Sequence, residues 1–290
     1  MSGLSAASTA AFTTPEPLPP WAYAQATIAA IYDEAPGVRT YSLEVASQHR
    51  QRLLASKPGQ FNMLYLPGIG EAAISIASPP DTHPLLHTVR AVGNVTQRLA
   101  ALSLGAEVLI RGPYGRPWPL EDLAGTDLII AAGGVGLASV RAAIRQAATS
   151  RDQFGSVAVL IGAKTPEDLL YQHEFAQWQA AGLDVVLIVD TAASGWQGPV
   201  GLVPQLLDDQ PISETTTMLT CGPEVMMRSL ADVAFSRGLP AEQFYLSMER
   251  NMQCAAGFCG LCQFGPAFVC RNGPIFRYDE IAQFLEVPNL

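Results

Sequence analysis

Four of the five cysteines stand close together near the C-terminus, at Cys254, Cys259, Cys262 and Cys270. Their spacing is C-x4-C-x2-C-x7-C, and the rest of the chain holds only Cys221. Thiolates gathered this closely in a cysteine-poor chain are typical of a metal centre, and C-x4-C-x2-C is the plant-type ligand spacing of a [2Fe–2S] cluster. Glycines between these ligands allow the backbone to turn tightly around cluster sulfurs. We therefore expect a centre that moves one electron at a time.

A closed zinc site is the alternative interpretation of the same four thiols. Zinc ribbons usually pair one C-x2-C with another, and the spacing in this chain differs from that pattern. Under this alternative the chain would be a zinc-stabilised protein that binds a nucleotide as a regulator. The spacing favours the iron–sulfur interpretation.

The composition restricts the possible partners of the chain. Its formal net charge of −9 argues against binding to nucleic acids or to anionic membrane surfaces. The sequence has no run of ~18 apolar residues that would indicate a transmembrane helix, and its N-terminus does not have the pattern of a secretory signal. We therefore expect a cytoplasmic protein without membrane insertion, in a reducing compartment where clustered cysteines bind metals more readily than they form disulfides.

Residues 21–120 show the pattern of an antiparallel six-stranded β-barrel. They follow an extended, proline-rich N-terminal arm (residues 1–20), and short segments with alternating apolar residues are separated by turn sequences. The predicted strands are residues 26–32, 39–46, 61–66, 73–77, 87–92 and 107–111. A helix over residues 95–102, capped by Asn94, interrupts them.

Residues 125–245 alternate apolar strands with helices, which is typical of an α/β domain with a parallel sheet covered on both faces. The predicted strands are residues 128–132, 157–162, 184–189 and 216–221. The first strand is followed by a helix that ends at residue 147, and further helices are predicted over 167–179, 200–207 and 223–235. Residues 246–290 form the small C-terminal cysteine module, with a short helix over 278–285.

A glycine-rich turn, Gly133-Gly134-Val135-Gly136, lies between a predicted strand and a helix. The pyrophosphate of a dinucleotide can rest there against helix N–H groups, and glycine allows its close approach. Because the full G-x-G-x-x-G fingerprint is missing, tight packing of strand against helix remains an alternative.

A second motif, Cys221-Gly222-Pro223, ends a later strand of the same predicted sheet. Open α/β sheets bind ligands at this edge, so the cysteine could touch a nicotinamide ring. A lone buried cysteine is more often a small apolar residue, which is the alternative.

The predicted barrel offers a third candidate site. Ile74-Ser75-Ile76 places a small hydroxyl on an apolar strand, and Gly93-Asn94-Val95-Thr96 opens a helix. A second phosphate-bearing ligand could be held between these segments. Turn residues and an ordinary helix cap would explain the same pattern.

The order of these segments resembles the ferredoxin–NADP reductase superfamily, extended by a C-terminal iron–sulfur module. More narrowly, residues 19–277 look like the gamma (diaphorase) subunit of cytoplasmic NiFe hydrogenases, or sulfhydrogenases. They are also similar to the sulfite reductase B subunit and to the electron-transfer subunit of dihydroorotate dehydrogenase. The most specific segments are Ala132-Gly-Gly-Val-Gly-Leu137, Glu167-Asp-Leu-Leu-Tyr171, Thr220-Cys-Gly-Pro-Glu-Val-Met226, Met248-Glu-Arg-Asn-Met-Gln-Cys254 and Phe268-Val-Cys270-Arg-Asn-Gly-Pro-Ile-Phe276.

The resemblance implies FAD in the barrel, with Ser75 near the reactive flavin nitrogen and Gly93, Val95 and Thr96 at the diphosphate. It implies that Gly112-Pro-Tyr-Gly115 forms the loop between the domains. It further implies a nicotinamide dinucleotide held by Gly133, Gly134 and Gly136, with Cys221 close to its reactive ring. The four clustered cysteines would be the ligands of a [2Fe–2S] cluster.

Two positions depart from the pattern of the family. Ala72 stands where the superfamily has an arginine that pairs with the flavin phosphate, so we expect Arg90 or Arg98 to compensate. Ala255 replaces a glycine common in such cluster loops, which predicts ordinary backbone angles at that residue. The four histidines, His49, His83, His87 and His173, are scattered and are interpreted as structural or surface residues.

These expectations combine into one electron path. A hydride carries two electrons and a cluster accepts one, and a flavin between them resolves the mismatch. The predicted path runs from NAD(P)H through FAD and the cluster to the catalytic and iron–sulfur subunits of a hydrogenase, or of another reductase. Lys164, after the second strand of the sheet, gives a slight preference for NADP(H) because it could meet a 2′-phosphate.

Overall fold

A computed structural model describes residues 21–287 of the chain. Six antiparallel strands form the first part of these residues. The predicted N-terminal arm lies outside the described residues. The strands are β1 (Ala24–Ala35), β2 (Val38–Val45), β3 (Phe61–Leu66), β4 (Gly70–Ser75), β5 (Leu85–Arg90) and β6 (Glu107–Tyr114), in the spatial order β4-β3-β6-β1-β2-β5. Beyond the end of β4, the N–H of Ala77 donates to the carbonyl of Leu86 at 2.9 Å, which joins the two outer strands. The barrel predicted from the alternating pattern is therefore confirmed.

Two short helices accompany the barrel. Helix α1 (Ser47–Leu54) was not predicted, because its polar sequence buries only His49 and Leu53 and so has no clear apolar period. Helix α2 (Asn94–Ala100) agrees with the predicted helix but begins one residue earlier, with Gly93 rather than Asn94 at the N-cap. The N–H of Gly93 donates to the hydroxyl of Thr96 at 2.9 Å, which is the bond from the N3 side chain back to the N-cap residue.

A second six-stranded sheet follows, with helices on both faces. Its elements are β7 (Asp127–Gly133), α3 (Leu137–Thr149), β8 (Val157–Ala163), α4 (Gln172–Ala180), β9 (Asp184–Val189), β10 (Thr216–Cys221), α5 (Glu224–Ser236) and β11 (Phe244–Ser247). The sixth strand is β14 (Ile275–Arg277) from the C-terminal module. The spatial order is β14-β11-β10-β7-β8-β9, and all neighbours are parallel except the pair β11–β14. Every residue of β8 is buried, as expected for a strand covered on both faces.

Three predicted boundaries in this half are corrected. The helix predicted over 167–179 begins only at Gln172, because Tyr171 has a φ of 56° and lies outside the helical region. The helix predicted over 200–207 is a 3-10 segment, Val203–Asp209. Pro223 is the N-cap of α5 rather than a residue of its first turn.

The C-terminal module packs onto the second sheet. It contains β12 (Gln263–Phe264), β13 (Ala267–Phe268), α6 (Val269–Asn272), β14 (Ile275–Arg277) and α7 (Tyr278–Leu285). Strand β14 pairs with β11, with Phe276 opposite Leu246, and the side chains of Phe264 and Ile281 join the apolar core on one face of the sheet. The module and the α/β domain therefore share one core. Within residues 21–287 none of the helices combines the length and the apolar character needed to span a membrane.

Candidate functional site

A cavity of about 450 Å³ lies where the barrel meets the second sheet. Four of the predicted barrel-site residues line it, namely Ile74, Ser75, Arg90 and Thr96. The opposite wall comes from Ser139 of α3, Ser247 of β11 and the segment 248–252 that follows β11. The barrel and the sheet therefore build this cavity together.

The other predicted barrel-site residues are not part of the cavity wall. Ile76 is buried in the barrel core, and Val95 packs against the same core. Gly93 does not line the cavity, but its N–H donates to the hydroxyl of Thr96, which does. The segment Gly112–Tyr114 completes β6, so it is the end of a strand rather than the interdomain loop implied by the resemblance.

Two arginines line the cavity together with two glutamates, Glu71 and Glu249. Arg90 lines it and also lines the adjoining cavity, whereas Arg98 lines neither. Arg250 approaches from the opposite side, and sequence reasoning did not include it as a cofactor residue. The family-like segment 248–254 was the available signal, but it was assigned only to the cysteine module.

The Ser75 backbone is held from inside the barrel by His87, which is fully buried. The imidazole Nδ1 lies 3.0 Å from the Ser75 carbonyl, and Nε2 lies 3.2 Å from the side-chain nitrogen of Asn62. These partners assign Nδ1–H as the donor and Nε2 as the acceptor of a neutral ring. Burial lowers the pKa of His87 to about 4. Its role is structural, as the scattered histidines suggested.

Two adjoining cavities, of about 270 and 400 Å³, lie at the carboxyl ends of the sheet strands. Both are lined by Gly133, Gly134 and Pro223, and the smaller is also lined by Gly136 and Gly222. Lys164 lines the larger cavity together with Asp190, an acidic residue that follows β9 and that sequence reasoning missed. The predicted dinucleotide residues therefore converge at one sheet edge.

The glycines of the turn have different functions. Gly134 has a φ of +55°, and no described atom lies within 4 Å of a Cβ built there, so its backbone faces open space. A Cβ at Gly136 would lie 2.4 Å from the carbonyl oxygen of Cys221. Gly136 is therefore required for packing, while Gly134 leaves room for a ligand.

Cys221 is buried and lines none of the three cavities. Burial raises the pKa of its thiol to about 12, although hydrogen bonds with Ser139 and Ser247 act in the opposite direction. Both serines line the barrel–sheet cavity. In this structure Cys221 therefore lies next to two wall residues and does not line the cavity itself.

The cysteine loop wraps its backbone around the Sγ of Cys254. The N–H groups of Ala256, Phe258 and Cys259 donate to this sulfur at 3.3–3.4 Å. Burial opposes ionisation, but these three donors lower the pKa of Cys254 to about 6. The prediction of ordinary angles at Ala255 was wrong, since its φ is 57°. The left-handed residue turns the backbone directly after Cys254, before these donors converge on the sulfur.

The four clustered thiols influence one another's ionisation. Besides the backbone donors, the side chain of Cys259 favours the thiolate of Cys254. Burial and the neighbouring thiols of Cys262 and Cys254 raise the pKa of Cys270 to about 12. Within residues 21–287, no three His, Cys, Asp or Glu side chains gather in the manner of a site for a single metal ion.

Arg111 of β6 connects the barrel to this cysteine loop. Its guanidinium pairs with Glu71 of β4 and donates to the backbone carbonyls of Gln253 and Cys254 at 2.7 and 2.8 Å. Glu71 in turn lines the barrel–sheet cavity. Sequence reasoning missed this contact because its partners lie more than 140 residues apart.

A buried polar chain joins the sheet domain to the barrel on the other side. The hydroxyl of Tyr171 lies 2.5 Å from that of Thr88, and Thr88 contacts Thr40 at 2.7 Å. The guanidinium of Arg141 lies over the ring of Tyr171 and is paired with Glu174. The motif that ends in Tyr171 thus fixes the two domains against each other.

The barrel, the dinucleotide-type sheet and the clustered cysteines define a class of protein, a two-domain reductase with an attached electron-transfer module. The family model for an oxidoreductase NAD-binding domain matches residues 130–232. The model for the iron–sulfur cluster binding domain of dihydroorotate dehydrogenase B matches residues 249–282.

Two curated relatives cover most of the chain. Sulfhydrogenase 1 subunit gamma of Pyrococcus furiosus is 33% identical over 78% of this chain and 80% of its own length. The probable dihydroorotate dehydrogenase B (NAD(+)) electron transfer subunit of Methanocella arvoryzae is 33% identical over 88% of this chain and 91% of its own. The chain therefore belongs to the family of oxidoreductase electron-transfer subunits that contains both, and the resemblance stated from its sequence is confirmed.

Solved structures agree on the fold. The structure of an NADH-dependent reduced ferredoxin–NADP oxidoreductase matches 90% of this chain and 92% of its own, at 22% identity and a TM-score of 0.71. A ferredoxin NADP+ reductase from Neisseria gonorrhoeae with bound FAD and NADP matches 80% of this chain and 95% of its own, at 20% identity and a TM-score of 0.64. The reductase fold predicted from the order of motifs is thus confirmed.

Proposed function

We propose that this chain passes electrons between NAD(P)H and a catalytic partner subunit, by way of FAD and a [2Fe–2S] cluster. The observation that carries the proposal is that the barrel–sheet cavity and the smaller sheet-edge cavity share wall residues. The barrel cavity adjoins the cavities at the sheet edge, and its wall residue Glu71 is bonded through Arg111 to the loop of the first cluster cysteine. The proposed donor, flavin and exit sites would therefore be contiguous in one chain.

The barrel cavity suits a flavin with a negatively charged diphosphate. Arg90 and Arg250 would supply positive charge, and Thr96 would supply a hydroxyl at the start of α2. Arg90 thereby takes the role of the arginine that Ala72 does not provide. Ser75 would lie along the ring, with its carbonyl fixed by His87. Bound FAD would supply the exchange between two-electron and one-electron chemistry.

The cysteine loop suits an iron–sulfur cluster better than a zinc ion. Zinc ribbons usually pair one C-x2-C with another, whereas these four cysteines begin with the plant-type C-x4-C-x2-C spacing. They also lie within the residues that match an iron–sulfur cluster binding domain. Backbone N–H groups directed at Cys254 favour its thiolate, the form that binds iron. These observations support [2Fe–2S] and weigh against the zinc alternative.

The preference between NADH and NADPH depends on the larger sheet-edge cavity. Lys164 would attract a 2′-phosphate, which is the basis of the preference for NADP(H). Asp190 in the same cavity would repel that phosphate and could accept hydrogen bonds from ribose hydroxyls. We therefore propose NAD(P)H as the donor, with these two side chains acting in opposite directions.

A hydrogenase of the sulfhydrogenase type is the partner favoured by the gamma-subunit relatives. A dihydroorotate dehydrogenase is the second candidate, because electron transfer subunits of that enzyme are equally similar and its cluster-domain model matches residues 249–282. We further propose a reducing, cytoplasmic compartment, which is consistent with five free thiols. Co-purification of a tagged chain from its native cell distinguishes the two partners by the chemistry that the complex catalyses.

The cofactor content is tested on anaerobically purified full-length chain. We expect a flavin absorption spectrum, iron and acid-labile sulfide in equal amounts, and an EPR signal after reduction with NAD(P)H. Zinc in place of iron, or a chain without flavin that reduces no viologen dye, would contradict the proposal.

A further inference from the structure

Arg111 is a buried guanidinium whose five N–H groups all have partners. The Nε–H group and one N–H of Nη2 donate to the two carboxylate oxygens of Glu71, at 2.9 and 2.5 Å. The second Nη2 bond goes to the Gln253 carbonyl at 2.7 Å. The two Nη1 bonds go to the Tyr114 hydroxyl at 3.1 Å and to the Cys254 carbonyl at 2.8 Å. Only arginine has five donors in one plane, so the site is specific for this side chain.

The two ends of this arrangement belong to different parts of the chain. Arg111 on β6 and Glu71 on β4 reach across β3 on the barrel surface, and both side chains are largely buried. Gln253 and Cys254 belong to the cysteine module. An ion pair that served only the barrel would need no bonds to the module, yet two of the five donors are used there.

The positive charge of Arg111 and the negative charge of Glu71 have opposite effects on a nearby electron acceptor. Reduction adds one negative charge to an iron–sulfur cluster, and the potential of such a cluster depends on nearby charge and hydrogen bonds. The guanidinium contacts the carbonyl of a proposed ligand directly, whereas Glu71 lies on its other side. In a partly buried site these charges are weakly screened.

We propose that Arg111 is a positioning residue that holds the first cluster ligand against the wall of the flavin cavity, and that the Arg111–Glu71 pair sets the reduction potential of the cluster. This inference rests on the proposed function of the cysteine loop. The guanidinium favours the reduced cluster, and Glu71 offsets part of that effect. The pair therefore controls both the placement of the acceptor beside its donor site and its tendency to accept an electron.

The test is an EPR-monitored redox titration of the full chain with its cofactors. Arg111→Gln removes the positive charge and should lower the midpoint potential, whereas Glu71→Gln leaves the guanidinium uncompensated and should raise it. Arg111→Lys keeps the charge but has too few donors, and its potential should stay closer to that of the wild type than the Arg111→Gln value. Lys57→Gln is the matched control, since it breaks an exposed pair with Glu121 at 2.9 Å and should leave the potential unchanged.

Shifts of the same sign in Arg111→Gln and Glu71→Gln, or no shift in either, would overturn the inference, because general loosening of the loop cannot produce opposite signs. If Arg111→Gln fails to assemble a cluster, Glu71→Gln decides the question, since it keeps the guanidinium and its bonds to the module. Iron, sulfide and flavin contents of the wild type are measured first. A wild type without cluster or flavin would refute the proposed function itself, which separates the two failures.

Discussion

The imidazole of His87 donates from Nδ1 to the backbone carbonyl of Ser75, with 3.0 Å between nitrogen and oxygen. The ring is fully buried, and burial lowers its pKa to about 4 from an ordinary value of 6.5. A neutral histidine inside the barrel thus holds the strand end that forms part of the cavity wall. This hydrogen bond is therefore part of the barrel interior and also holds a wall residue of the proposed flavin site.

The first prediction concerns stability and pH. His87 has a lower pKa in the folded than in the unfolded chain, so the unfolded chain binds more protons between pH 6.5 and pH 4, and stability falls as the pH falls through this window. The contribution of His87 should decrease by about 2 kcal/mol from pH 7.5 to pH 5, and by about 3 kcal/mol in total.

Urea unfolding of the wild type and of His87→Gln, compared at each pH, isolates this term from the carboxylates. The stability difference between the two proteins should shrink as the pH is lowered, because glutamine does not titrate. A difference that stays constant from pH 7.5 to pH 5 would mean that His87 titrates normally.

The second prediction concerns the contact between the domains. Tyr171→Phe removes the hydroxyl that lies 2.5 Å from Thr88, while Thr88 keeps its contact with Thr40. We expect a loss of about 1 kcal/mol in the free energy of unfolding, measured by urea denaturation. Tyr32→Phe, at an exposed tyrosine of the barrel, is the control and should change stability by less than half as much. Equal effects of the two substitutions would show that the buried hydroxyl adds nothing.

The third prediction concerns the choice of nicotinamide nucleotide. Asp190→Ala should raise the ratio of kcat/KM for NADPH over NADH by about tenfold, since removing one repulsive charge from the cavity that Lys164 also lines is worth about 1.4 kcal/mol. Lys164→Ala should lower the same ratio. The ratio is measured with a viologen dye as acceptor. If both substitutions leave the ratio unchanged, the 2′-position is recognised elsewhere.

The sequence pattern was sufficient for the barrel and the parallel sheet, because each has a strong local signal. Alternating residues predicted β3 with its observed bounds, and apolar runs predicted β9 and β10. Helix α1 and the three-residue strand β14 have no such signal, since one is polar and the other depends on pairing with β11.

The site was predictable only in part, for the same physical reason. Ser75, Thr96 and Gly134 belong to short motifs with a known backbone geometry. Arg111 and Glu71 act through partners distant in the chain, so local patterns cannot reveal them. The backbone conformation of Ala255 was predicted wrongly from its residue type, because the loop imposes a left-handed conformation that alanine disfavours.

The fourth prediction concerns the exit of electrons. Cys259 is exposed and does not line the barrel cavity, so Cys259→Ser should remove one proposed ligand with little effect on that cavity. Reduction of the flavin by NAD(P)H should persist at a rate within about twofold of the wild type, since the substitution leaves the hydride site intact. Electron delivery to the partner should fall at least about a hundredfold, as expected when the proposed one-electron acceptor is lost.

The central claim is that electrons from a nicotinamide nucleotide reach the cysteine loop through the cavity between barrel and sheet. The most direct measurement mixes anaerobic full-length chain with NAD(P)H and follows flavin absorbance together with freeze-quenched EPR of the cluster. The account predicts that flavin bleaching comes first and that the cluster signal follows within the same turnover, while Cys259→Ser shows the bleaching alone. A cluster that stays oxidised in the wild type while the flavin is fully reduced would contradict the account.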